Sequence, residues 1–293
     1  VSRRSPSPET GRFRFFTAGI PALCLVILWI CGCAAPGKTV PTPPRGAPPA
    51  PESVLSEWFG NLQEEGFQGT ARISLETPDG KYFRTTAFAV RYPASLRIEA
   101  LPLFGTPDLL LAADGRFLKA YFPEDRLFLL GPPDAPSLYA LFRLPLDVPD
   151  VVSLIMGVPP GREDPLIRYE ASWDGPLYRA DGFLNGEKIR SFWLDVERRK
   201  LVRYETRGTG GRPSFTAVFE GTLEAGGRNF PERISVRMAE PVPVASTIRL
   251  SGLERMENVS PDVFDLVVPP GAETRWLGPP ASGRTEPGTS LDR

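Results

Sequence analysis

From Phe67 onward, turn residues cut the chain at regular intervals into short alternating segments, and this constrains its fold more than any other feature. Residues 67–77 (FQGTARISLET) place Ile73 and Leu75 on one face, and Pro78-Asp79-Gly80 then supplies a turn whose glycine is free to take positive φ. Residues 81–92 return with Phe83, Ala87 and Ala89 opposite Tyr82, Phe88 and Val90, so the two segments read as a hairpin. Segments 95–101 (SLRIEAL), 107–113 (PDLLLAA), 116–122 (RFLKAYF) and 126–131 (RLFLLG) follow, punctuated by Asp114-Gly115 and Glu124-Asp125. A second series runs through 166–173, 177–183, 188–195, 201–206, 213–221, 230–237 and 246–253. Strands spaced this closely predict an antiparallel meander that curls into a barrel or half-barrel. The 34 Pro and 28 Gly are what so many turns require. Asp195–Lys200 (DVERRK) reads as a solvated hairpin corner. Residues 258–271 close the domain, and residues 272–293, polar and rich in Gly and Pro, are predicted to be disordered.

Three stretches depart from the alternation. In residues 53–65, Val54, Leu55, Trp58, Phe59 and Leu62 share a face at helical spacing, with Ser53 as N-cap and Gly66 as stop, so Trp58 is expected in the core. Residues 137–143 (SLYALFR) make a short apolar helix. Residues 147–157 (DVPDVVSLIMG) make a clearer one: Asp147 caps it, Pro149 sits in the first turn where its missing N–H is harmless, and Gly157 ends it. A helical pair set between strands must bury its apolar side on the sheet and cover one open end. Leu138, Leu141, Phe142, Val151, Val152 and Ile155 are the side chains expected to line such a lid and the space beneath it.

The N-terminal segment carries a different signal. Arg3, Arg4, Arg12 and Arg14 precede an apolar run, FFTAGIPALCLVILWICGC, that ends in Ile30-Cys31-Gly32-Cys33. A basic region, an apolar region and small residues at the exit make a secretory signal. The ending looks like a lipobox, in which the peptide is cut before the last cysteine and that thiol is acylated; Cys33 is the expected lipid attachment site. An uncleaved membrane-spanning anchor and simple secretion are the alternatives. Residues 34–51 (AAPGKTVPTPPRGAPPAP) read as an extended, semi-rigid spacer. Ala34, where an Asp would argue for retention at the inner membrane, points to the outer membrane.

Composition narrows the chemistry. About 220 residues remain between spacer and tail, ample for a sizeable core. Four Arg and one Glu leave with residues 1–32, taking the net charge from −1 to −4, and no basic patch suited to nucleic acid emerges. The cysteines stand at 24, 31 and 33, and there is no histidine. The predicted domain therefore has no disulfide, no thiolate site, no cysteine nucleophile and no imidazole base. No cofactor or metal is expected, and an enzyme is disfavoured. Glu99, Asp108 and Asp114 read as turn or surface carboxylates.

The middle of the chain resembles the LolB family, outer-membrane lipoproteins that receive other lipoproteins from the periplasmic carrier LolA. Ala100–Thr106 (ALPLFGT) after a strand, Leu109–Leu111, and Pro145–Pro159 (PLDVPDVVSLIMGVP) carry the resemblance. Pro102-Leu103-Phe104-Gly105 stands for that family's Pro-Leu-Gly loop with Phe104 inserted, and Ile155-Met156-Gly157-Val158-Pro159 for the end of its lid helix. The resemblance implies an unclosed antiparallel β-barrel with a helical lid over an apolar cavity. It implies a lipid-anchored protein on the periplasmic face of the outer membrane, with lipoprotein acyl chains, outer-membrane lipids and a LolA-like carrier as partners. It also implies that Leu103 and Phe104 form a loop that enters the membrane. The alternative is a lipoprotein of the same fold that binds another lipid, senses envelope stress or serves as a structural interaction protein.

Overall fold

A computed structural model describes residues 46–59, 62, 65–78, 80–102, 105–161, 165–208, 211–239 and 243–278. The chain divides into two units, 1–41 and 42–293, and every described residue belongs to the second. Cys33, the apolar run before it and most of the spacer lie outside the described residues, as do Leu103 and Phe104. Among the described residues no helix is long and apolar enough to cross a membrane.

The chain opens with helix α1 (Pro51–Phe59), followed by strands β1 (Gly66–Thr77), β2 (Gly80–Arg91), β3 (Ser95–Leu101), β4 (Leu110–Asp114), β5 (Leu118–Phe122) and β6 (Leu127–Gly131). Two short helices, α2 (Ala135–Phe142) and α3 (Val148–Ile155), interrupt the strands. Then come β7 (Arg168–Asp174), β8 (Leu177–Leu184), β9 (Glu187–Asp195), β10 (Lys200–Arg207) and β11 (Pro213–Glu220). The hairpin β12 (Leu223–Ala225) and β13 (Arg228–Phe230) precedes β14 (Arg233–Met238) and β15 (Val244–Met256). A 3-10 turn (Pro261–Phe264) and β16 (Glu273–Trp276) end the described fold.

Fourteen strands make one sheet in the order β16-β6-β5-β4-β3-β2-β1-β15-β14-β11-β10-β9-β8-β7. The expected mainly-β, unclosed architecture is what the chain adopts: among the described residues β7 and β16 are the two ends of the sheet and do not pair with each other. The two meanders are one sheet because β1, already paired to β2, takes β15 on its other side; Ile73 stands opposite Ile248 and Ala71 opposite Leu250. Alternation along each strand sends one row of side chains to the core and the next to the back face. The core row includes Phe67, Val90, Leu96, Leu111 and Leu118 in the first half, and Tyr178, Phe192, Tyr204, Ala217 and Val236 in the second.

The helices start where the sequence places them. The side chain of Asp134 accepts a hydrogen bond from the Ser137 N–H at 3.0 Å, and that of Asp147 accepts from the Asp150 N–H at 2.8 Å. In α3, Val148 and Val152 are fully buried and join the same core as the sheet. The helical cover over one face is therefore present.

Four sequence expectations need correction. Helix α1 begins at Pro51 and ends by Phe59; Leu62 is buried but not helical, Gly66 already belongs to β1, and Trp58 is only half-buried. The strand expected over 230–237 splits, with Phe230 in β13 and β14 starting at Arg233, because Pro231 has no N–H to give to a ladder. The β12–β13 hairpin, turned by Gly226-Gly227, has no counterpart in the sequence reading. The tail from 272 is not wholly without structure: Glu273–Trp276 lies parallel to β6, with Glu273 opposite Leu127 and Trp276 opposite Leu130. The Leu277 N–H donates to the Leu130 carbonyl at 2.7 Å. Gly131 permits that approach, since a Cβ there would stand 2.6 Å from Leu277 Cβ.

Candidate functional site

The core face of the sheet is filled at one end and half-open at the other. In the second half, aromatic rings close the space. Phe192 stacks on Tyr204 at 5.3 Å between centroids and 13°, and Tyr204 meets Phe215 at 6.0 Å. These rings are fully buried, and the α3 core residues pack into the same cluster. On β1, β3 and β15, Ile73, Leu75, Ile98 and Ile248 belong to the core row but stay half-exposed, with Arg84 of β2 standing opposite Ile73.

The predicted lid residues fall into three classes of burial. Leu138 and Val152 are core residues, 2% and 0% exposed, so their role is to fasten α2 and α3 to the sheet. Leu141, Val151 and Ile155 are half-buried and border the same cluster. Phe142 is 38% exposed at the end of α2, where Arg143 takes a left-handed conformation. The helices thus carry both core anchors and half-exposed apolar side chains.

One polar cluster sits beneath α3. Asp150, in its first turn, faces Arg190 of β9 and Tyr204 of β10. Burial, then the neighbouring Asp147, pushes the Asp150 carboxyl up to about 7; Arg190 and the Gly161 N–H pull the other way. Burial pushes the Tyr204 hydroxyl far above its ordinary range. Arg190 donates from Nη1 to the carbonyls of Pro160 and Gly161 at 3.3 and 3.1 Å. Gly161 has φ +65°, and a Cβ there would lie 1.5 Å from Arg190 Nη1, so this arginine needs glycine beneath it. The cluster ties α3 and the segment after it to the sheet. No single stretch of sequence reveals it, because its members come from three elements.

The carboxylates singled out in the sequence are engaged locally. Asp114 accepts from the N–H groups of Arg116 and Phe117, both at 2.8 Å; Glu99 pairs with Arg97 at 2.7 Å, and Asp108 with Arg84 at 3.3 Å. Among the described residues no group of three or more Cys, His, Asp or Glu could hold a metal. Asp195 holds the hairpin corner by accepting from the Arg198 N–H and guanidinium.

On the back face, the β2–β5 region is covered by the segment after β15. Arg97 donates to the carbonyls of Val263 and Asp265, at 3.0 and 3.3 Å, and Lys119 pairs with Asp265. Phe264 is fully buried there. Farther along the same face, Trp193 lies between the guanidiniums of Arg179 and Arg203, at 5.0 and 4.9 Å, and donates to Asp174.

No family model and no curated protein matches the chain. Solved structures do match. A LolA superfamily protein from Nitrosomonas europaea superposes with a TM-score of 0.52 at 13% identity, covering 75% of this chain and 99% of that one. A DUF1329 family protein from Desulfovibrio piger superposes at 0.54 and 14% identity, covering 73% of this chain and 95% of that one. Likeness at such low identity is likeness of fold.

Proposed function

Starting from a fold shared with the LolA superfamily, we propose that the protein binds the acyl chains of lipoproteins against its apolar face and passes them to the outer membrane, as LolB does. The half-exposed apolar positions of the core face, Ile73, Leu75, Ile98 and Ile248 on the strands and Leu141, Val151 and Ile155 on the helices, are the observation that carries this reading. Water rejects an acyl chain by about 0.8 kcal/mol per CH₂. A dry, adaptable surface beneath the helices therefore suffices to hold one, with no catalytic group taking part. In this reading the protein is anchored through Cys33, and Leu103 and Phe104 enter the membrane.

One observation favours a second reading. The buried rings of Phe192, Tyr204 and Phe215 fill the second half, as expected of an envelope lipoprotein that works by interaction rather than by carriage. A photoreactive p-benzoylphenylalanine at position 142 or 155 separates the two. Capture of lipoprotein acyl chains supports carriage. Capture of phospholipid or glycolipid alone assigns another lipid to the same space. Capture of only the chain itself or of a protein partner supports the interaction reading.

A further inference from the structure

A groove on the other side of the sheet from the lid is open to solvent. Its volume is about 590 Å³, and it runs across β15, β1, β2 and the end of β3. The strand register places most of its lining on the back face. Arg249 of β15 stands directly opposite Arg72 of β1, which stands opposite Thr85 of β2, which stands opposite Leu101 of β3. One step along, Thr247, Ser74 and Phe83 form the next row.

Two like charges directly opposite each other on adjacent strands destabilise a sheet unless something neutralises them. Both arginines are exposed, and among the described residues neither guanidinium has a hydrogen-bond or ion-pair partner. The nearby acids are engaged elsewhere: Glu76 with Lys81 at 2.7 Å, Asp108 with Arg84 at 3.3 Å, and Glu220 with Arg233 at 3.4 Å. The hydroxyls of Ser74, Thr85 and Thr247 line the same groove and can donate to an anion. Beside the charges stands bare apolar surface: Phe83 is 68% exposed and Leu101 39%.

We infer that this groove binds the phosphodiester head group of an anionic membrane phospholipid. Arg72 and Arg249 bracket the phosphate, the hydroxyl row donates to its free oxygens, and Phe83 and Leu101 lie against the start of the acyl chains. Guanidiniums suit this task because their forked donors match a phosphate's geometry. A soluble anion would satisfy the charges but leave the aromatic and leucine surface bare, so charge and apolar surface together commit the site to lipid. The inference is independent of acyl-chain carriage, which concerns the opposite face.

The test uses the full chain in phosphatidylcholine vesicles containing a minor fraction of phosphatidylglycerol, with p-benzoylphenylalanine at position 83. After irradiation, mass spectrometry identifies the adduct. The expected adduct is phosphatidylglycerol, enriched over its share of the bilayer by roughly thirty-fold, the factor for two arginines at about 1 kcal/mol each beside an anionic surface. Arg72→Gln with Arg249→Gln is expected to bring the adduct back to the bilayer ratio. Arg116→Gln with Arg212→Gln removes the same charge from exposed positions elsewhere and is expected to leave the enrichment intact. The inference is overturned if no lipid is captured, if enrichment survives in the Arg72/Arg249 variant, if it falls equally in the control variant, or if millimolar inorganic phosphate abolishes it. A melting temperature no lower than the parent's in both variants excludes loss of fold as the cause.

Discussion

Asp150 is the residue whose environment most alters its chemistry. Its folded-state carboxyl titrates near 7, well above the ordinary 3.8, so folding favours the protonated form. Its contribution to stability is full below pH 4 and is lost as pH rises toward 7, where the carboxyl must ionise beneath α3. Asp150→Asn mimics the protonated form. It is expected to leave stability unchanged at pH 4 and to raise it by roughly 2 kcal/mol at pH 8, after allowance for solvent screening. Thermal melts of both proteins across pH 4 to 8 check this; parallel pH profiles would contradict it. The Asp147 cap remains in the variant, so the helix start is not confounded.

At the scale of elements, β16 is the least expected piece and the most testable. It covers β6, whose ladder groups would otherwise form an open edge, and open edges invite pairing between chains. Gly131→Ala places a methyl within 2.6 Å of Leu277 Cβ and 2.8 Å of its carbonyl oxygen. The variant is expected to lose hydrogen-exchange protection in 273–277, to lose about 1–3 kcal/mol of stability, and to aggregate more readily. Normal protection in that segment would refute the account. This element also shows where sequence reading stops. Strands such as β1, β2 and β9 were legible because alternation and turn residues are local, and α3 because Asp147, Pro149 and Gly157 mark its ends. The stretch ETRW carries no apolar alternation; it becomes a strand only because β6 offers an edge and Gly131 leaves room. Helix α2 was legible in the same local way, whereas which of its side chains and those of α3 reach the core depends on how far the sheet extends beneath them. The Arg72–Arg249 pair was hidden because its members lie far apart in sequence and meet only through the β1–β15 register.

For the molecule as a whole, the β1–β15 seam joins the two meanders into one sheet. Leu250, 3% exposed and opposite Ala71, sits at that joint. Leu250→Ala is expected to cost about 2–4 kcal/mol and to weaken both halves together. Urea unfolding followed through tryptophan fluorescence and through backbone circular dichroism should give coincident transitions at lower midpoint. Separate transitions would mean that the halves are independent and the seam only a contact. The seam also bears on how the chain comes to be folded. Strand β1 has β2 beside it early, yet the partner for its other flank lies nearly at the far end of the described fold. A nascent polypeptide made from its N-terminus must hold that flank bare until most of the chain has been synthesised. Until then, its closest available match is the same bare flank on another unfinished copy. An unpaired strand edge kept open that long is where pairing between unfinished copies would begin.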